Sequence, residues 1–151
     1  MNVKNLIKNV VIPNTLGFIG SIIGNVKGGF DGMIKPKIVP PKIVFPIVWT
    51  ILYILMGISA HLIEKSDSIA KGEALRVYYI QLVLNVLWPL FFFNFRWYLF
   101  SFILILVILV LSIIMIKKYY AINKTAAYLQ IPYIIWLLFA GFLNLRVFML
   151  N

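Results

Sequence analysis

Five stretches of this chain, residues 9–26, 43–63, 77–95, 99–116 and 125–145, contain no Asp, Glu, Lys or Arg. Each is about as long as the ~20 apolar residues needed to cross a hydrocarbon core of ~30 Å. Hydrophobic residues make up 63% of the sequence, more than a water-soluble domain of this size can hide, so lipid has to be the solvent for most of it. Lipid satisfies no backbone N–H or C=O, which leaves helices and closed barrels as spanning structures. Uninterrupted runs of this length suit helices and not short alternating strands. The sequence therefore predicts an all-α membrane protein, a five transmembrane helix bundle forming one domain over residues 1–151.

Charge supports that reading. The formal charge is +10, and every basic residue lies at a span end or in a loop, beside lipid headgroups. The expected electrostatic partner is membrane lipid and not nucleic acid. Lys4, Lys8, Lys65, Lys71, Arg76, Lys117, Lys118 and Lys124 fall on one side, against Lys27, Lys35, Lys37, Lys42, Arg96 and Arg146 on the other, which favours a cytoplasmic N-terminus. Lys4 and Lys8 ahead of an apolar run resemble a secretory signal, but Gly17, Gly20, Ser21 and Gly24 form a small-residue stripe suited to close helix packing, so the first span is expected to be retained. With no cysteine and one histidine, neither a metal site nor a cofactor is expected. His61, one turn from the end of the second span, reads either as a residue favoured by the helix dipole and reaching the headgroups or as a haem ligand, the first favoured because haem sites in bundles often use two facing histidines.

Polar and aromatic residues mark the interior faces. Phe45, Trp49 and Tyr53 recur at i, i+4, i+8 in the second span, a stripe that serves either as core packing or as the wall of a ligand site. Gln81, Asn85, Trp88 and Phe92 share a face of the third span, and Pro89 cannot donate to the Asn85 carbonyl, so a bend is expected there. Asn85 is either interhelical glue or a ligand contact. In the fifth span Pro132, Trp136, Ala140 and Asn144 repeat every four residues, with Tyr133 and Phe139 beside them, and Pro132 is expected to disturb the helix. The fourth span, rich in Leu, Ile and Val, reads as a lipid-facing strut, and Trp97, Tyr98, Tyr119 and Tyr120 as interface anchors. The long connection from Lys27 to Lys42 carries Lys35, Pro36, Pro40 and Pro41 after several glycines, and is either a lid over the bundle mouth or a plain connector.

No catalytic residue emerges. Asp31, Glu64, Asp67 and Glu73 all lie in loops or at span ends, which counts against a proton-coupled pump, and catalytic triads and phosphate-cradling loops are missing. No internal repeat argues for an inverted-repeat transporter. Apolar volume, aromatic faces, a few amides and a basic loop suit a flat hydrophobic ligand gripped by stacking and oriented by one or two hydrogen bonds.

At these residues the chain resembles the translocator protein family, also called tryptophan-rich sensory proteins (TspO) and formerly the peripheral benzodiazepine receptor. The matching pieces are Lys35-Pro36 and Pro40-Pro41; Val44-Phe45, Val48-Trp49-Thr50 and Leu52-Tyr53-x-Leu55-Met56-Gly57; Gln81-Leu82, Asn85-x-x-Trp88-Pro89 and Phe91-Phe92; and Pro132-Tyr133-x-x-Trp136, Phe139-Ala140 and Leu143-Asn144. The resemblance implies a five-helix bundle, usually a homodimer, in a bacterial cell membrane. It also implies a pocket beneath the first loop for a porphyrin-type small molecule, with Trp49, Tyr53, Asn85, Trp88, Trp136 and Ala140 at matching positions. Phe45, Phe92 and Asn144 extend the same stripes. A receptor or carrier for tetrapyrroles is the leading expectation; light-dependent porphyrin degradation and a ligand-free structural partner are the alternatives. The chain departs from the family at Ile38, where a tryptophan is usual, and at Phe30 and Asp31, where a Trp-Tyr pair is usual. Leu145-Arg146 replaces the tyrosine and basic residue of the animal sterol motif, so sterol binding is not expected.

Overall fold

The computed structural model describes residues 3–151. Helix α1 spans Val3–Ile23 and is followed by a one-turn α2, Val26–Gly29; α3 spans Val44–Glu64. Helix α4, Lys71–Pro89, runs on without a break into a π-helical turn, Leu90–Asn94. Helix α5 spans Tyr98–Ile122, and the last crossing is divided into α6, Lys124–Leu129, and α7, Ile131–Leu150. Among the described residues, five helical crossings are long and apolar enough to traverse a membrane: α1, α3, α4 with its π turn, α5, and α6 with α7.

The helices close a ring. Helix α1 packs between α3 and α4, α4 against α5, and α5 against α6 and α7, while α3 meets α6. Close approach on the α1 side depends on glycine. A Cβ at Gly20 would stand 2.6 Å from the Val86 carbonyl oxygen, and one at Gly24 2.6 Å from the Pro89 backbone. Gly57 sits over the Asn9 carbonyl, which Pro13 four residues later leaves without its helical N–H. The small-residue stripe of the first span is thus spent on packing within the bundle.

Pro89 and Pro132 act, each in its own way. Pro89 is accommodated by the wider π turn that begins at the next residue, in place of a simple bend. Pro132 stands in the first turn of α7, where its missing N–H costs nothing, and the break falls just before it at Gln130. Asn123 caps α6, its side chain accepting from the Ala126 N–H at 3.1 Å.

Several expectations are corrected. Helix α1 extends six residues ahead of the first apolar run, carrying Lys4 and Lys8, and ends at Ile23, shortly before Asn25 enters the left-handed region at φ 56°. Helix α5 exposes Ile103, Leu106, Val107 and Val110 as expected, but it is more than a strut: Ser101, Ile105, Ile108, Ser112, Met115 and Tyr119 form a buried face against its neighbours. Tyr119 lies fully inside and is not an interface anchor, since α5 continues to Ile122, beyond the predicted end of the span. Tyr98 is half-buried with its ring on Phe92, whereas Trp97 and Tyr120 are exposed as belt residues should be. His61 does not reach the headgroups; it is buried on the α3 stripe that faces α1.

Candidate ligand site

The backbones of α3 and α7 are not among the closely packed helix pairs, and side-chain rings fill the seam between them. Trp49 stacks on Tyr53 at 5.5 Å and 29°, and stands edge-on to Trp136 at 6.4 Å and to Tyr133 at 6.4 Å. Phe45 meets the other side of Trp136 at 5.9 Å. Edge-to-face and offset-stacked pairs at these separations are favourable arrangements of ring quadrupoles. The indole Nε1 of Trp136 is buried there and has no hydrogen-bond partner among the described residues.

Beneath the rings runs a hydrogen-bonded chain that joins four helices, α3, α4, α7 and α5. The Tyr53 hydroxyl donates to Asn85 Oδ1 at 2.8 Å, and Asn85 Nδ2 donates to the Tyr133 oxygen at 2.7 Å. Tyr133 in turn donates to Gln81 Oε1 at 2.7 Å, which also lies 3.5 Å from the Ser112 hydroxyl. Asn85 is therefore interhelical glue and the floor of the ring seam at once.

The other predicted site residues gather elsewhere. Trp88 stacks on Phe92 at 4.6 Å and donates from Nε1 to Asn144 Oδ1 at 3.1 Å, while Asn144 Nδ2 donates to the Tyr98 carbonyl at 2.8 Å. With Met33, Phe93 and Val147 they make a separate core at the loop end of the bundle. Ala140 is half-buried one turn beyond Trp136. So Phe45, Trp49, Tyr53, Asn85 and Trp136 form one constellation, and Trp88, Phe92 and Asn144 a second.

The first connection lies across that end. Phe30 wedges between Phe45, at 6.4 Å, and Phe93, at 4.9 Å, and the ammonium groups of Lys35 and Lys42 each lie 5.2 Å from its ring centre. Met33 and Pro36 are buried beneath the loop, Pro40 is half-buried, and Pro41 is exposed. The Ile34 backbone exchanges hydrogen bonds with the Asn151 side chain at 3.2 and 3.0 Å, and the Arg96 guanidinium donates to the Asp31 carbonyl. Tyr133, Gln81 and Phe30 were not among the predicted site residues. Tyr133 and Gln81 follow the helical period of Trp136 and Asn85, whereas Phe30 sits in a glycine-rich stretch without any period. Two surface hollows, one of about 410 Å³ beside Arg96, Trp97 and Phe148 and one beside Arg76, Tyr79 and Val83, lie away from the ring seam.

The sequence profile of the TspO/MBR family matches residues 9–150. The chain belongs to the TspO/MBR family. It is 31% identical to the tryptophan-rich protein TspO of Archaeoglobus fulgidus over 100% of this chain and 99% of that protein. It is 36% identical to the protein CrtK of Rhodobacter capsulatus over 81% of this chain and 78% of the relative. The translocator protein of Bos taurus is 30% identical over 93% of this chain and 86% of its own length. As a TspO/MBR protein with five spanning helices, the chain is an integral, multi-pass membrane protein. In this TspO/MBR chain the ring that joins the first connection to the seam is Phe30, through its contact with Phe45.

Proposed function

We propose that this protein is a membrane receptor or carrier for a flat tetrapyrrole of the porphyrin type, held between Trp49 and Trp136 with Asn85 below and Phe30 above. The observation that carries the reading is the α3–α7 seam: two helices kept apart by rings, with a buried indole N–H left without a partner among them. Indole and phenyl faces supply dispersion and stacking for a conjugated ring system. The Trp136 N–H and the Asn85 amide are the groups able to orient it, and Lys35 and Lys42 stand where ligand carboxylates would emerge. Membership of a family whose relatives include proteins named translocator supports a carrier over a purely structural role. From the family resemblance we further propose a homodimer in the membrane, which cross-linking in native membranes tests.

Titration of the detergent-solubilised protein with protoporphyrin, followed by tryptophan fluorescence, tests the proposal. Saturable quenching is expected, weakened in Trp49→Ala and Trp136→Ala. Absence of quenching, or quenching unchanged in both variants, overturns it. Illumination of the complex while following the Soret band separates carriage from degradation: a band as stable with protein as without it fits carriage.

A further inference from the structure

Between the π turn and α5 the chain reverses over Phe95, Arg96 and Trp97, and the reversal carries an arginine to the outside of the bundle. The Phe95 N–H donates to the Leu90 carbonyl at 3.0 Å, and the Trp97 N–H returns to the Phe91 carbonyl at 2.9 Å. Between these bonds Arg96 takes a φ of 54°, in the left-handed region that residues other than glycine seldom occupy. Its exposed guanidinium gives one of five N–H donors to the Asp31 carbonyl. The ion pairs among the described residues, Lys8–Glu64 and Lys118–Glu73, do not include Arg96, so its charge stands against a neutral carbonyl.

The hollow of about 410 Å³ opens beside this residue, where the start of α5 meets the end of α7. The Asn144 side chain, donating to the Tyr98 carbonyl, ties the two helices together there. Arg96 and Asn151 supply polar lining, Trp97, Leu99, Phe100 and Phe148 supply apolar walls, and no acidic side chain lines the space. Trp97 packs on Phe95 at 5.0 Å and edge-on to Phe100 at 5.9 Å, which makes a wall of rings at headgroup depth. Leu99, Ile103 and Leu106 follow one another at i, i+4 and i+7 and are all exposed, so an apolar strip leads from the hollow toward the middle of the bilayer. The volume lies in the range of small-molecule sites, ~300–1,000 Å³.

We propose that this hollow is a binding site for one anionic phospholipid, its phosphate on the Arg96 guanidinium and an acyl chain along Leu99, Ile103 and Leu106. A guanidinium presents a planar fork that matches phosphate oxygens, and the bond to Asp31 uses one arm of it. Basic hollows between spanning helices suit anionic headgroups. A zwitterionic lipid would bring a second cation into a space without acidic lining, and free phosphate would leave the apolar walls and strip uncovered. The site also adjoins both clasps of the first connection, Arg96 on Asp31 and Asn151 on Ile34. It is independent of what the ring seam binds, since none of its residues belongs to that seam.

Native mass spectrometry of the full chain in detergent, titrated with dioleoyl phosphatidylglycerol or dioleoyl phosphatidylcholine, provides the test. The first phosphatidylglycerol is expected to bind several-fold more tightly than phosphatidylcholine. Arg96→Gln is expected to weaken it several-fold, whereas Lys27→Gln, which removes an exposed cation that does not line the hollow, leaves it unchanged. Equal binding of the two lipids overturns the proposal, and so does an equal loss in both variants, which marks general attraction to a basic protein. Excess inorganic phosphate is expected to leave the lipid in place; full displacement makes this a free-anion site and overturns the proposal. A diazirine-bearing phosphatidylglycerol, photo-cross-linked to the parent protein in nanodiscs, is expected to label residues 97–100 and 148–151. Labelling confined to other surfaces, as when a second copy of the chain covers the hollow, overturns the proposal. Cross-linking needs no variant, so a misfolded Arg96→Gln does not protect the idea.

Discussion

Tyr53 on α3 donates its hydroxyl proton to the side-chain oxygen of Asn85 on α4 at 2.8 Å. The bond pins the phenol on which Trp49 is stacked, so the position of the indole depends on an amide one helix away. The other end of the same amide is committed to Tyr133, and both contacts are buried in a membrane-embedded core. A guest that takes hydrogen bonds from Asn85 therefore competes with two tyrosines, and stability and binding are coupled at this residue.

Replacing Asn85 by Leu keeps the volume close but leaves the Tyr53 hydroxyl and one contact of Tyr133 unmet. The expected cost is about 1–3 kcal/mol, the range for a buried polar group losing its partner. Thermal denaturation in detergent reads it as a lowered melting temperature, with Tyr53→Phe less affected because it deletes one end of one bond. Equal melting temperatures for Asn85→Leu and the parent protein contradict the three-helix tie.

Gly57 is a contact at which the backbones of α1 and α3 approach closely. A Cβ there would stand 2.4 Å from the Asn9 carbonyl oxygen and 2.5 Å from the Val10 Cα, both backbone atoms that move only with the helix. Gly57→Ala is expected to destabilise by about 1–3 kcal/mol through overpacking. Gly141→Ala serves as the contrast, because its Cβ would meet only the Ile105 side chain at 3.3 Å. If both variants melt together, the close approach at Gly57 is not what sets the α1–α3 spacing.

The spans were legible because absence of charge over ~20 residues is a one-dimensional signal that needs no partner. Facing is harder to read. Asn85, Trp88 and Phe92 share a helical face, yet the structure gives Asn85 to the ring seam and the other two to the core under the loop, because neighbours change with depth along one face. Tyr119 looks like a belt residue beside Lys117, Lys118 and Tyr120, but the helix runs on past it and turns it inward. Phe30 carries no periodic signal at all; its place follows from where the loop folds, which only Phe45, Phe93 and the two lysines reveal.

The two aromatic constellations predict different phenotypes for three tryptophans. Trp49→Ala and Trp136→Ala are expected to weaken protoporphyrin binding at least tenfold, on the order of 1.4 kcal/mol, since each removes a stacking face from the seam. Trp88→Ala breaks a stack with Phe92 and the hydrogen bond to Asn144, so its main effect is expected on the melting temperature. Measuring dissociation constant and melting temperature for all three separates the roles. A Trp88→Ala variant with parental stability and strongly reduced affinity would move the site toward the second constellation.

Phe30 links the loop to the mouth of the seam through Phe45 and to the bundle end through Phe93, and two ammonium groups rest on its ring. Cation–π contacts at exposed positions contribute roughly 0.5–1 kcal/mol each, enough to bias the loop toward closure without locking it. Removing the ring in Phe30→Ala should therefore act as a gate mutation. Stopped-flow quenching with protoporphyrin is expected to show association and dissociation both accelerated several-fold, with a smaller change in the equilibrium constant. Asn151→Ala, which removes the clasp on the Ile34 backbone, is expected to shift both rates in the same direction by less. Rates unchanged in Phe30→Ala would make the connection a passive one, and acceleration of dissociation alone would make Phe30 a direct ligand contact.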